Sequence, residues 1–386
     1  MSMSQDRDGS RSGPGGTTRG LIGRLRLAVV GLPLIAVMVF LSACTFSGPT
    51  MTIDYKSVEN KEIWGLYSLV FWLATAVFIV VQVMLFYAVF RFRRRPGQGL
   101  PKQVHGNNRL EIGWTIVPAL LLVIIAVPTV RVIISQASPP PADAVRVKII
   151  GHQFWWEVRY PDPTDPTNAE KDLVTANEIH LPVNKTAEFE LTSHDVQHSF
   201  WVPLLGGKMD LYPNRTNRIK YTAEEVGKYY GQCAELCGTA HGYMKMYVFV
   251  EEQTSYDQWF AAQKGQPVAA AAGNTTDEQI KKGQALVTGG ACVTCHYIEG
   301  TAARGRVGPN LTHFGGRTTF SSGWAQNNEA NLKIWIRNPA DIKPGVTTLA
   351  NQQIPATGEL YSRMPAFPNY TEEELTAIVK YLGSLK

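Results

Sequence analysis

The hydrophobic pattern changes character twice along the chain. Three apolar runs come first: residues 27–41, behind a polar start containing Gly and Arg, then 63–90 and 112–134. At 1.5 Å per residue, each of the two longer runs exceeds the roughly 30 Å of hydrocarbon in a bilayer, so they predict two membrane-spanning helices joined as a hairpin. From residue 143 the long runs stop. Short β-rich stretches such as 145–150, 188–192 and 244–251 alternate with Pro, Asn and Gly turns, which predicts a Greek-key β-sandwich or barrel. Residues 161–168, with Pro161, Pro163 and Pro166, read as a surface loop. Helical periodicity then returns, with amphipathic stretches at 276–287 and 372–385.

These changes divide the 386 residues into a signal-like segment at 1–43, a hairpin at 51–136 and a β domain at 143–260. A linker at 261–276, with Gly-Gln-Pro and four consecutive alanines, leads to an all-α domain at 277–386. The fold class is therefore a multidomain membrane protein.

Charge adds the topology. The net charge is +5, and Arg91, Arg93, Arg94, Arg95, Lys102 and Arg109 crowd the segment between the two longer runs. Such a loop stays in the cytoplasm, which puts both later domains on the outer side of a bacterial inner membrane. A basic excess concentrated there leaves no footprint for DNA or RNA. The first run is short, is interrupted by Pro33, and ends in Leu-Ser-Ala-Cys; it resembles a bacterial lipoprotein signal, with residues 1–43 removed and Cys44 lipidated. The alternative is an uncleaved third span. Glu111 opens the second span, where a carboxylate either caps the helix N-terminus or handles protons.

The five cysteines carry the chemistry. Cys233, Cys237, His241 and Met244 lie within twelve residues, and His198 lies upstream in Ser-His-Asp-Val-Gln-His-Ser-Phe. Two thiolates, two imidazoles and a thioether form a soft ligand set that suits copper and not magnesium or calcium. Structural zinc and a Cys233–Cys237 disulfide are the alternatives for the same spacing. Glycines at 231, 238 and 242 leave the loop room to fold. His152 and His194 fit packing and surface roles better, and His105 falls in the cytoplasmic loop. Cys292, Cys295 and His296 give Cys-x-x-Cys-His, the pattern of covalent haem c attachment with His296 as iron ligand. Met364, the last methionine, is the expected sixth ligand, with His313 as its competitor.

With the hairpin, Gly-His-Gln-Phe-Trp-Trp at 151–156, Asp-Val-Gln-His-Ser-Phe at 195–200, Pro-Asn-Arg at 213–215 and the cysteine loop, residues 51 to about 260 resemble subunit II of the haem-copper respiratory oxidases. That resemblance implies a cupredoxin-like sandwich holding a dinuclear CuA centre. By the same resemblance Cys233 and Cys237 bridge two coppers, His198 and Met244 complete one, and His241 with the Glu235 carbonyl completes the other. The Glu235 side chain would help hold magnesium or manganese at subunit I, and Glu111 would lend a carboxylate to proton uptake. One departure concerns Phe154, which stands where many relatives have the tryptophan that receives electrons from soluble cytochrome c. The last domain, with Gly308-Pro309-Asn310-Leu311 after the haem motif, resembles a class I cytochrome c, and the whole resembles subunit II of caa-type oxidases.

The resemblance implies electron flow from an external donor, a cytochrome bc complex or cytochrome c, through haem c and CuA to subunit I. There oxygen is reduced to water with proton pumping, and subunit III and membrane lipid are further expected partners. A CuA subunit of a nitric oxide reductase and a freestanding membrane electron carrier are the alternatives. A quinol oxidase subunit is disfavoured, because it usually lacks the copper ligands.

Overall fold

The computed structural model describes residues 48–97, 99, 103, 105–265, 277–343 and 364–386. Cys44 and the signal-like run lie outside the described residues, as do 266–276 and 344–363.

Helices α1 (Val58–Arg91) and α2 (Asn108–Ala137) contain the two long apolar runs. Each begins at a polar cap: the Ser57 side chain accepts from the Asn60 amide, and Asn107 accepts from the amides of Arg109 and Leu110. Their apolar side chains point outward over most of both surfaces, with Trp72, Phe86 and Leu122 well exposed. A helix hydrophobic all round needs lipid or protein about it. Both helices are long and apolar enough to cross a membrane.

The hairpin is fastened to the β domain at one end. The Glu59 carboxylate accepts from the Thr222 amide at 2.6 Å and its hydroxyl at 3.0 Å. Asn60 Nδ2 donates to the Pro203 carbonyl at 3.1 Å, and Ser57 Oγ donates to that of Leu205. From the other helix, the Ser135 and Ser138 carbonyls each accept from Lys220 Nζ at 3.0 Å. These bonds satisfy polar groups where helix meets sheet and mount the domain on the membrane helices.

The β domain has ten strands: β1 (Val145–His152), β2 (Trp155–Tyr160), β3 (Leu173–Ala176), β4 (Glu178–Pro182), β5 (Thr186–Ser193), β6 (His198–Trp201), β7 (Met209–Leu211), β8 (Asn217–Thr222), β9 (Gly227–Cys233) and β10 (Lys245–Glu251). They form two five-stranded sheets, ordered β3-β2-β1-β5-β8 and β4-β10-β9-β6-β7. Pairing is antiparallel except for β1 with β5 and β10 with β4. Alternating burial is clear in β5 and β10, where every second side chain turns inward. The inner faces share one core that includes Val147, Trp156, Phe189, Phe200, Tyr221 and Val248.

Helix α3 (Gln253–Lys264) follows β10. It runs four residues into the stretch read as linker, because Trp259 and Phe260 pack on Tyr160, with ring centroids 5.4 and 6.0 Å away, and hold its last turns in place.

The C-terminal domain is built on α4 (Glu278–Gly289), α5 (Glu329–Arg337) and α6 (Glu372–Ser384). Thr371 and Glu374 form a reciprocal capping box at the start of α6. Helices α4 and α6 cross at Gly283, where an added Cβ would lie 2.0 Å from the Ala377 carbonyl oxygen. Only glycine permits that approach. The domain also holds a feature absent from the all-α expectation: a small hairpin of β11 (Thr319–Phe320) and β12 (Ala325–Gln326). Its pairing is too short for a periodic signal, and its turn places Ser321, Ser322 and Gly323 at positive φ.

Candidate metal centre

The strand order brings the soft ligands together. His198 opens β6 and Cys233 closes β9, and these strands pair with Phe200 opposite Cys233. Strands β9 and β10 also pair, so residues 234–244 form the loop between neighbours. That loop carries Cys237, His241 in a 3-10 turn (His241–Tyr243), and Met244 just before β10.

Cys233 Sγ lies 3.8 Å from Cys237 Sγ and 3.9 Å from His198 Nδ1. Cys237 Sγ lies 3.7 Å from His241 Nδ1 and 3.9 Å from Met244 Sδ. The Glu235 carbonyl oxygen is 3.2 Å from Cys233 Sγ. Cys233, Cys237, His198 and Met244 are buried. Glu235 is half-exposed, and Leu236 beside it is 78% exposed, so this side of the loop faces outward. Met246, two residues on, packs over Gly231.

Both cysteines are free, at a separation far beyond the roughly 2.05 Å of a disulfide. Hydrogen bonding from Cys237 and from His198, working against burial, holds Cys233 well below the usual thiol value, and that thiolate pushes Cys237 up. Two adjacent buried sulfurs cannot both ionise without a cation between them, and with metal–thiolate bonds of about 2.3 Å one ion can touch both. The donor set therefore fits soft metal ions, and the thioether at Met244 favours copper over a closed zinc tetrahedron.

The surroundings fix the ring and the loop. His198 Nε2 is 2.9 Å from Asp195 Oδ1, so the carboxylate holds the far side of the imidazole and leaves Nδ1 turned to the sulfurs. Asp195 also accepts from the amides of Gln153 at 2.7 Å and Val196 at 2.8 Å. Burial pushes its carboxyl up, but these bonds together with His198 bring it below the ordinary value. Gln153 Nε2 donates to the Cys237 carbonyl at 2.6 Å. Gly238, at φ +136°, lies so close to Phe154 that an added Cβ would be 2.9 Å from the ring, whereas Gly242 faces open space. Asp195 was not singled out in the sequence; its signal was its position three residues before His198.

His152 stacks on Trp155 with ring centroids 4.2 Å apart and hydrogen-bonds Glu157, while His194 lies against the His152 ring. Trp156 is fully buried in the core. Phe154 is also buried, and its carbonyl accepts hydrogen bonds from Ser322 and Lys343 of the C-terminal domain.

In that domain Cys292 and Cys295 are free, and His296 Nδ1 is 2.8 Å from the Pro309 carbonyl oxygen, leaving Nε2 for a metal. Burial pulls His296 below its ordinary value, which favours the neutral imidazole a metal needs. Leu311, Trp335, Met364, Phe367 and Tyr370 are only partly buried against the domain core. Arg317 Nε is buried without a hydrogen-bond partner. Half-covered apolar side chains, together with a half-buried guanidinium that keeps an unpaired Nε, fit a flat apolar group bearing carboxylates, as a porphyrin does. His313 is buried, and its Nδ1 has no hydrogen-bond partner among the described residues. Glu111, at the other end of the hairpin, is exposed.

A membrane hairpin carrying a soft-metal sandwich and a haem-binding fold defines a membrane-bound electron-transfer subunit. The chain matches the family described as cytochrome c oxidase subunit II, transmembrane domain, over 52–132 and its periplasmic domain over 145–251, and cytochrome c over 280–386. It is 35% identical over 361 residues to cytochrome c oxidase subunit 2 of Alkalihalophilus pseudofirmus, covering 92% of this chain and 96% of that one. It is 36% identical over 315 residues to the subunit 2 of Bacillus sp. PS3, covering 76% of this chain and 80% of the relative. Among solved structures, the periplasmic domain of subunit II from Bradyrhizobium japonicum matches at 31% identity with a TM-score of 0.29, covering 32% of this chain and 96% of that one. The chain belongs to the cytochrome c oxidase subunit II family, in the form that carries its own cytochrome c domain.

Proposed function

We propose that this subunit passes electrons from its covalent haem to a dinuclear copper centre and on to subunit I, where oxygen is reduced to water with proton pumping. Cys292 and Cys295 attach the porphyrin, His296 supplies one iron ligand and Met364 the other. Cys233 and Cys237, with His198, Met244, His241 and the Glu235 carbonyl, would hold the copper pair. The bound metals supply reversible one-electron chemistry. The chain's own residues supply the rest. Asp195 orients His198, Gln153 tethers the Cys237 carbonyl, and the packed Phe154 and Met244 side chains keep water away. A rigid, dry ligand set leaves little to rearrange when charge arrives.

The carrying observation is the pair of free thiols 3.8 Å apart, with two imidazole nitrogens and a thioether within 4 Å of them. The half-buried Glu235 and the exposed Leu236 suit contact with subunit I, and the Glu235 carboxylate is proposed to share a magnesium or manganese ion there. The arginine-rich segment supports a cytoplasmic hairpin loop in a bacterial inner membrane, with both redox domains outside. Glu111 is proposed for proton uptake, Cys44 for lipidation, subunit III as a further partner, and a cytochrome bc complex or cytochrome c as donor.

The test is the optical and EPR spectrum of the purified complex. A mixed-valence copper signal with haem c and haem a is expected. A lone zinc at the thiols would overturn the copper assignment, and haem b in place of haem a would transfer the chain to the nitric oxide reductases.

A further inference from the structure

The hairpin that the all-α expectation did not contain is the part of the cytochrome domain that grips the copper domain. Glu178, at the start of β4, is 3% exposed. Its carboxylate accepts from the Thr318 and Thr319 hydroxyls at 2.6 and 2.7 Å and from their amides at 3.1 and 2.8 Å. The four contacts converge on Oε1, and the Thr318 amide also reaches Oε2 at 3.1 Å, so both oxygens of this buried carboxylate meet the two threonines. At the turn of the hairpin, Ser322 Oγ donates to the Phe154 carbonyl and the Ser322 carbonyl accepts from the Lys245 amide at 3.1 Å. Lys343, also 3% exposed, donates from Nζ to the Phe154 carbonyl at 2.8 Å and to Ser322 Oγ at 2.9 Å. Trp324 packs edge-on against Tyr243 at 4.7 Å, with Lys245 Nζ 3.9 Å above its ring.

Buried polar groups with partners across an interface make separation expensive, because opening it takes the threonine donors from the Glu178 carboxylate and the Phe154 carbonyl from the Lys343 amine. Tyr243 lies between His241 and Met244 in sequence, so the hairpin seats directly on the loop that carries the copper ligands.

We propose that the hairpin at 318–326 is a latch, with Glu178 and Lys343 as positioning residues, that holds the haem domain in one seat beside the copper loop and closes the Phe154 face to a separate protein donor. A flexible tether gives only a raised effective concentration and still requires a search, whereas a latch removes the search. Phe154 is then a seat for the chain's own cytochrome domain, and an external donor delivers its electron at the haem domain. Each transfer takes one electron from ferrous haem iron, leaving it ferric, and adds it to the copper pair.

The latch rests on the electron-transfer reading only for its purpose, and the two are tested separately. In the purified complex, hydrogen exchange at the Thr318, Thr319 and Lys245 amides should be as slow as in the β9–β10 ladder. Exchange as fast as in exposed loops would overturn the latch whatever the metals do. In a Glu178→Ala/Lys343→Met double variant, the copper EPR and haem optical spectra should be unchanged, exchange at those amides should rise at least tenfold, and haem-to-copper transfer after flash reduction should slow at least tenfold and become viscosity-dependent. Lys343→Arg should restore most of the rate. Unchanged exchange and an unchanged, viscosity-independent rate in the double variant would overturn the proposal. If that variant fails to assemble, the wild-type exchange pattern decides alone.

Discussion

In the copper loop, the five candidate ligand side chains are already in contact through sulfur, at 3.7 to 3.9 Å, and are held from behind by backbone pairing and by Asp195. Around His296 the arrangement is the reverse: Leu311, Trp335, Met364, Phe367 and Tyr370 stand half-buried at the rim of a small helical core. The sandwich is a large core that shapes a site, while the cytochrome domain is a small one whose site completes it. The two domains are of similar length, but the described core of the cytochrome domain holds fewer buried apolar side chains, so a missing apolar group removes a larger share of its burial. The two centres should therefore fail differently when their ligands are removed.

The largest effect is expected on the haem side. Cys292→Ala/Cys295→Ala should abolish covalent haem and expose the α4–α6 packing, seen as loss of the haem stain and fast exchange in α6, while the copper EPR signal persists. A cytochrome domain that stays fully protected without haem would break the comparison. On the copper side, Cys237→Ser should abolish the mixed-valence signal with haem still attached and the sandwich still folded by hydrogen exchange. Persistence of the signal would refute the bridging role.

A smaller loss separates holding a ligand from being one. Asp195→Asn keeps the shape beside His198 Nε2 but removes the charge that orients the ring. Outer-shell changes of this kind typically cost 10–100-fold in metal affinity, so a copper-chelator titration should show a loss in that range with the EPR signal retained at saturation. Retained affinity would assign the orientation of His198 to packing alone.

Much of this was legible in the sequence, and the pattern of what was not is physical. The two spans, the β domain and the ligand spacing in the cysteine loop are local signals, written in runs, alternation and motifs. Asp195 stands three residues before His198 in sequence, but its hold on the ring shows only in the folded arrangement, where β6 pairs with β9. The grip of Glu178 on Thr318 and Thr319 crosses from one domain to another, where no periodicity reaches. Phe154 stands at the position of the relatives' electron-accepting tryptophan, and the bonds its carbonyl accepts from Ser322 and Lys343, far along the chain, leave no mark in the local sequence. Residues 261–264 carry a linker-like composition yet continue α3, because Trp259 and Phe260 pack on Tyr160, a contact that composition does not show.

The mildest perturbation tests the packing of the cytochrome domain without touching its ligands. Helices α4 and α6 meet at Gly283, and a methyl there would press on the Ala377 carbonyl and on Tyr381. Overpacking a tight contact typically costs about 1–3 kcal/mol, although alanine also favours helix over glycine by up to roughly 1 kcal/mol. The carbonyl is backbone and cannot rotate away, so the steric cost should win. Gly283→Ala should lower the denaturation midpoint of the haem domain and leave the copper signal unchanged. An increase in stability would mean that the helices can slide apart cheaply, and the contrast between a preassembled copper loop and a haem-completed core would lose its structural basis.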